Sequence, residues 1–284
     1  MALILFLYNF IEQLFDSTCN PVTKIHTHEK TTFYGNNESA PVIKRIRMKK
    51  VRSILLLVTV FGIAMAFMES SVVIYLRKIL YPEGFNFPLK PMPGELSLTE
   101  CLRELATLVM LVSVGWIAGK TFSQRFAWFI YAFAVWDIFY YIFLKILINW
   151  PDSIMTWDLL FLIPVIWTGP VITPVIVSMT MILLAAVILY FATKEMSSKI
   201  LPYEWILLCA GSTVIFIAFI WDFSIYIFSY FSINEIIFNP QNQSFLQKIM
   251  SYTPTKFNWG FFIPGELIFL MTIIIYYLRL KKFT

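Results

Sequence analysis

Predominantly apolar runs of about 20 residues recur six times in this chain, at 53–76, 101–119, 126–148, 171–192, 205–230 and 259–278. A helix needs about 20 such residues to cross a hydrocarbon core of roughly 30 Å. The expected fold is therefore an all-α, polytopic membrane helix bundle of about six transmembrane helices. Composition agrees: 59% of the 284 residues are hydrophobic and 14% charged, against roughly 45–50% and about 25% in soluble domains. This excludes a soluble enzyme and a secreted disulfide scaffold. The net charge of +5 comes from lysines and arginines at the ends of apolar runs, so no nucleic-acid partner is expected. The lipid bilayer is the first partner implied.

Residues 1–47 differ from the rest, with a short apolar stretch followed by a polar run that holds His26 and His28. The text from Met48, MKKVRSILLLVTVFGIAMAF, reads as a bacterial membrane-protein start, so 1–47 is expected to be an over-extended gene start or a disordered tail, and 48–284 the transmembrane domain. Ala64-Met65-Ala66 has the form of a secretory cleavage site. The apolar run continues past it to Leu76, which favours an uncleaved first helix. A shorter apolar piece at 159–170 ends in Thr168-Gly169-Pro170; a re-entrant segment, an interfacial segment and the first half of a broken helix are all open there.

With the N-terminal side placed in the cytoplasm, the flanks and tails on that side hold thirteen Lys and Arg beyond residue 40, against seven on the other. The positive-inside rule then puts both termini in the cytoplasm, in an inner membrane, and leaves loops 77–100 and 231–258 outside as surfaces for a membrane protein partner. Cys19, Cys101 and Cys209 have no C-x-x-C spacing, and no histidine follows residue 28. His-ligated haem, a zinc site and a Ser-His-Asp triad are excluded from the membrane domain, and no cofactor or metal is expected.

Acids inside apolar runs carry the functional signal, because an ionisable group near mid-bilayer costs about 2.5–3.5 kcal/mol even on insertion scales. Counted inward from the outer ends of their runs, Glu69, Asp137, Asp222 and Glu266 lie about seven to eleven residues deep, a shared layer roughly 10–15 Å below the surface. They are the expected proton- or cation-binding residues; no catalytic residue is assigned. Helical spacing adds Tyr141 and Lys145 behind Asp137 and Tyr226 behind Asp222, and Arg77 follows Glu69 at the Asp137–Lys145 offset. Arg103 and Glu104 support the layer from the second helix. Intramembrane acids also pin helices together with no turnover, and for Glu104, beside Arg103 and one turn from Glu100, that structural reading is the stronger. The Glu100/Glu104 spacing is similar to that of lipid pyrophosphate phosphatases, but their arginine-serine loop and histidine are missing.

The phrase VWDIFYYIF at 135–143 parallels IWDFSIYIF at 220–228, and WDLLFLIP at 157–164 parallels WGFFIP at 259–264. A two-helix internal repeat would bring Asp137 towards Asp222. Gly115 and Gly119 form a G-x-x-x-G packing face. Three functions fit. The leading one is a transporter-like protein whose carboxylate layer binds a proton or cation coupled to a small solute. The second is a non-catalytic membrane subunit or assembly partner. The third is an intramembrane or lipid-active enzyme with Asp137 and Asp222 as acid and base; the Gly-x-Gly-Asp pattern of presenilin-type proteases is absent, and the balance is against an enzyme.

Overall fold

The computed structural model describes residues 39–90, 92, 94–194, 198–238 and 243–282. The expectations for residues 1–38, His26, His28 and Cys19 among them, lie outside the described residues, as do residues 91, 93, 195–197 and 239–242 of the connections. The elements in chain order are α1 (Ser39–Leu80), α2 (Gly94–Ala118), α3 (Phe122–Ile148), β1 (Trp157–Phe161), β2 (Trp167–Pro170), α4 (Ile172–Thr193), α5 (Pro202–Phe228), α6 (Ile233–Phe238), α7 (Gln243–Met250) and α8 (Trp259–Lys281). Six of these helices, α1 to α5 and α8, are long and apolar enough to cross a membrane. The chain is a multi-pass membrane protein with an all-α bundle.

Helix ends outrun the apolar runs because a helix needs satisfied backbone more than it needs apolar side chains. At the start of α3 the Thr121 side chain accepts the Gln124 N–H. Asn149 ends that helix in the left-handed region, φ 53°, and its N–H reaches the carbonyls of Leu144 and Lys145. Glu204 accepts the Leu201 N–H at the start of α5. The α2 helix begins at Gly94, well before its apolar run, since Glu95 and Thr99 extend a helix while lowering its hydropathy.

The centre of the bundle is α3 with α4. In their most apolar windows 61% and 56% of residues are buried by protein, against 22–33% in the other four spans. The α3 helix packs on α1, α2 and α4, while α5 pairs with α8 and α4 joins the two groups. Glycines let the helices approach. A Cβ on Gly115 would stand 2.7 Å from the Arg125 carbonyl oxygen and 2.8 Å from Phe129 Cβ, and one on Gly119 would strike the Arg125 backbone, so the G-x-x-x-G face packs against α3. Gly265 of α8 fits against Ile215 and Gly211 of α5 in the same way.

The segment at 159–170 is not half of a broken helix. It is an antiparallel hairpin in which Trp157 pairs with Pro170 and Leu159 with Thr168, with an irregularity between Leu159 and Phe161. Trp, Phe and Thr favour strands, and Pro164, Gly169 and Pro170 deny the segment a continuous helical ladder. The hairpin nonetheless enters the bundle. Leu162 reaches Glu104, Phe161 stacks on Phe133 and Trp167 packs on Phe216. These partners lie about 10 to 15 residues from the near ends of α2, α3 and α5, so the tip reaches roughly 15–22 Å below them. The segment is re-entrant, as strands. The repeat shows the same difference: its first phrase is helical in both copies, in α3 and α5, whereas its second phrase lies in β1 in one copy and opens α8 in the other.

Gly115→Val is expected to push α2 off α3, costing about 1–3 kcal/mol and lowering the thermal midpoint in detergent. Gly94→Ala, with no atom within 4 Å of the added Cβ, is the neutral control.

Candidate functional site

Four of the polar groups named from sequence, Glu69, Glu100, Arg103 and Glu104, gather where α1, α2 and the hairpin tip meet. Arg103 pairs with both Glu69 of α1 and Glu100 one turn back on its own helix, and Thr107 stands 3.5 Å from Glu69 Oε2. Glu104, 7% exposed, points instead to the hairpin. Both of its oxygens lie 3.0 Å from the Leu162 N, and the Ile163 N–H is a second donor to it. A hairpin tip at this depth has no water for its amides, so the carboxylate of Glu104 supplies their acceptor.

Next to this group stands one that composition did not reveal. Asp158 of β1 is 1% exposed. Its Oδ1 accepts from Arg77 Nη2 at 3.0 Å and its Oδ2 from the Tyr141 hydroxyl at 3.2 Å. The Arg77 guanidinium also lies over the rings of Phe85, 4.4 Å away, and Trp150, 3.8 Å away, a desolvated cation–π arrangement. Burial pushes the Asp158 carboxyl above its usual range, and Arg77 pulls it back down. The stripe expected along α3 therefore divides: Tyr141 serves Asp158, while Lys145 is exposed and donates to the carbonyls of Asn149 and Pro151 at the helix end.

In the centre of the bundle α4 stands between two acids. Ser178 donates to Asp137 Oδ2 of α3 at 2.8 Å, and Thr180 lies 2.8 Å from Glu266 Oε2 of α8. Residues two apart on a helix point to opposite flanks and differ by only about 3 Å in height. Asp137 and Glu266 thus occupy one layer, on either side of α4. Glu266 Oε1 is buried with no hydrogen-bond partner among the described residues, and neither acid has an ion pair there.

Asp222 belongs to a different construction. Its carboxylate accepts from the Tyr252 hydroxyl at 2.9 Å, from the Thr255 N–H and hydroxyl at 3.1 and 2.8 Å, and from the Lys256 N–H at 3.3 Å. Tyr252 is wholly buried. The Thr168 hydroxyl of β2 lies 3.0 Å from its own, and its ring meets Phe87 and Phe223. Tyr226 holds the same connection, bonding the Lys248 carbonyl and the Ser251 hydroxyl. Three connections at the hairpin end, around 87, 168 and 252, are tied at this point. Asp137 and Asp222, the acid and base of the enzymatic reading, thus have different partners among the described residues, Ser178 for one and the 252–256 connection for the other.

At the opposite end Glu204, 0% exposed, takes two hydrogen bonds from Arg279, at 2.7 and 2.9 Å, and fastens α5 to α8. The acid closes the first turn of α5 and the arginine the last turn of α8, positions that sequence reading passed over as helix-end charges. Among the described residues no group of three or more His, Cys, Asp or Glu is arranged to hold a metal ion.

Glu104→Leu is expected to leave the hairpin-tip amides without an acceptor, at a cost of about 1–3 kcal/mol, whereas Glu104→Gln keeps one acceptor oxygen and loses less. Thermal unfolding in nanodiscs reads the difference. The chain matches no family model, no curated protein and no solved structure.

Proposed function

We propose that the protein is a transporter-like membrane protein in which Asp137 and Glu266 bind a proton or a small cation on the two flanks of α4. The observation that carries this reading is their shared environment: each has a hydroxyl partner from α4 and neither has a cationic one among the described residues. A membrane acid that serves only to pin helices finds a countercharge or several donors, as Glu69 and Asp222 do. An acid with one hydroxyl neighbour is suited to exchange.

The hydroxyl chemistry supports exchange at Glu266 in particular. Thr180 Oγ1 stands 3.2 Å from the Ile176 carbonyl oxygen and 2.8 Å from Glu266 Oε2, yet a hydroxyl has one proton to give. With Glu266 charged, Thr180 donates to it. With Glu266 protonated, the acid donates to Thr180 and the threonine turns its proton to Ile176. The contact survives either state, so loading needs no rearrangement of the helices.

The same reading places the hairpin end outside and both termini in the cytoplasm of a bacterial inner membrane, in keeping with the excess of Lys and Arg on the terminal side. A second reading, a membrane subunit or assembly partner, draws on the hairpin-end connections tied at Tyr252, a preassembled surface for another protein.

Proteoliposomes with a trapped pH dye test the first reading. Inward gradients of Na⁺, K⁺ and a panel of amino acids, monocarboxylates and polyols are expected to include one that changes luminal pH. That signal is expected to fall about tenfold or more, a loss of roughly 1.4 kcal/mol, in Asp137→Asn and Glu266→Gln at unchanged folded yield. A protein that is inert to every gradient and co-purifies with a stoichiometric membrane partner would instead be the subunit.

A further inference from the structure

Asp158 and Tyr141 have a geometry that anchoring alone does not explain. Arg77 secures one carboxylate oxygen of Asp158 and leaves the other to the Tyr141 hydroxyl. Tyr141 follows Asp137 by one turn of α3, so the two residues share one face of that helix. On its other side Asp158 meets Arg77, which lies over Phe85 and Trp150 in the connections at the hairpin end. A carboxyl and a phenol thus stand in series between that end of the molecule and a carboxyl of the α4 layer.

We propose that Asp158 and Tyr141 relay protons between the outer surface and Asp137, an inference that rests on the reading of Asp137 as a proton-binding group. In the resting arrangement the Tyr141 O–H donates to Asp158 Oδ2. A proton arriving at that oxygen reverses the bond: Asp158 becomes the donor to Tyr141 Oη, and the phenolic O–H turns towards Asp137. Transfer of the Asp158 proton to Oη, with departure of the phenolic proton to Asp137, moves one proton inward and leaves the phenol neutral throughout. Only O–H bonds are made and broken.

The groups facing Asp158 are Arg77 from α1 and Asp137, Tyr140 and Tyr141 from α3. Arg77 returns the carboxyl to its charged form after each transfer. Asp137 in turn faces Ser178 from α4 and Asp158 from the hairpin. No further carboxyl is needed in the path.

The experiment follows the carboxyl C=O infrared band of Asp137, identified by its loss in Asp137→Asn, after a pH jump applied to the full chain in nanodiscs. Tyr141→Phe keeps the ring and the Arg77–Asp158 pair. It is expected to slow the growth of the band about tenfold or more while the final amplitude stays that of the wild type. Asp158→Asn is expected to slow it likewise, and Glu104→Gln to leave the rate unchanged. Should Asp158→Asn fold poorly, Tyr141→Phe alone decides. A wild-type rate in Tyr141→Phe overturns the relay. A wild-type protein with no titrating Asp137 band overturns the binding reading, and the relay with it.

Discussion

An amide N–H in hydrocarbon has no water to bond, so backbone that is neither helix nor closed barrel enters a membrane only where protein supplies its partners or a cavity supplies water. The hairpin at Trp157–Pro170 lives under that constraint. Its two strands satisfy each other, and the tip turns to Glu104, both of whose oxygens meet the Leu162 N–H. Once that tip is held, the aromatic rings along it set the spacing of the bundle. Phe161 meets Phe133 and Trp136 of α3, and Trp167 meets Phe216 and Phe219 of α5. The α3 and α5 sides of the bundle are joined through the hairpin at this depth, and through Phe126 and Trp205 at the opposite end.

The same constraint sorts the acids. A carboxylate surrounded by donors or paired with a guanidinium is fixed, because losing its charge would orphan the groups around it. Glu69, Glu104, Glu204 and Asp222 all have such surroundings. Asp137 and Glu266 have lean ones, and they are the two that touch the central helix from opposite flanks. In this account the fixed acids build a frame, and the lean ones are free to change protonation inside it.

The six spans were legible in the sequence because hydropathy over about 20 residues is a long, redundant signal. The acid layer was legible in part for the same reason: charges in apolar runs stand out, and depth follows from counting. What could not be read was which neighbour each acid meets. Asp222 and Asp137 carry similar local phrases, yet one faces the connection at 252–256 and the other a serine on α4, a difference set by residues 30 to 41 positions away. Asp158 was hidden by an ambiguous segment, since a short apolar run reads equally as strand or helix. Its partner, Arg77, was visible only as an offset from Glu69. Ser178 and Thr180 gave no warning at all, being common residues in membrane helices.

The central claim is that Asp137 and Glu266 bind and release protons while Glu69, Glu104, Glu204 and Asp222 hold the frame. The most direct measurement is infrared difference spectroscopy with hydrogen–deuterium exchange on the wild type and on Asp137→Asn, Glu266→Gln, Glu104→Gln and Asp222→Asn, with thermal midpoints recorded on the same samples. The account expects each of the first two variants to lose one pH-dependent carboxyl band and keep the other, with midpoints unchanged. It expects the bands to persist in the other two, with midpoints lowered. A full set of bands in either Asp137→Asn or Glu266→Gln would contradict it.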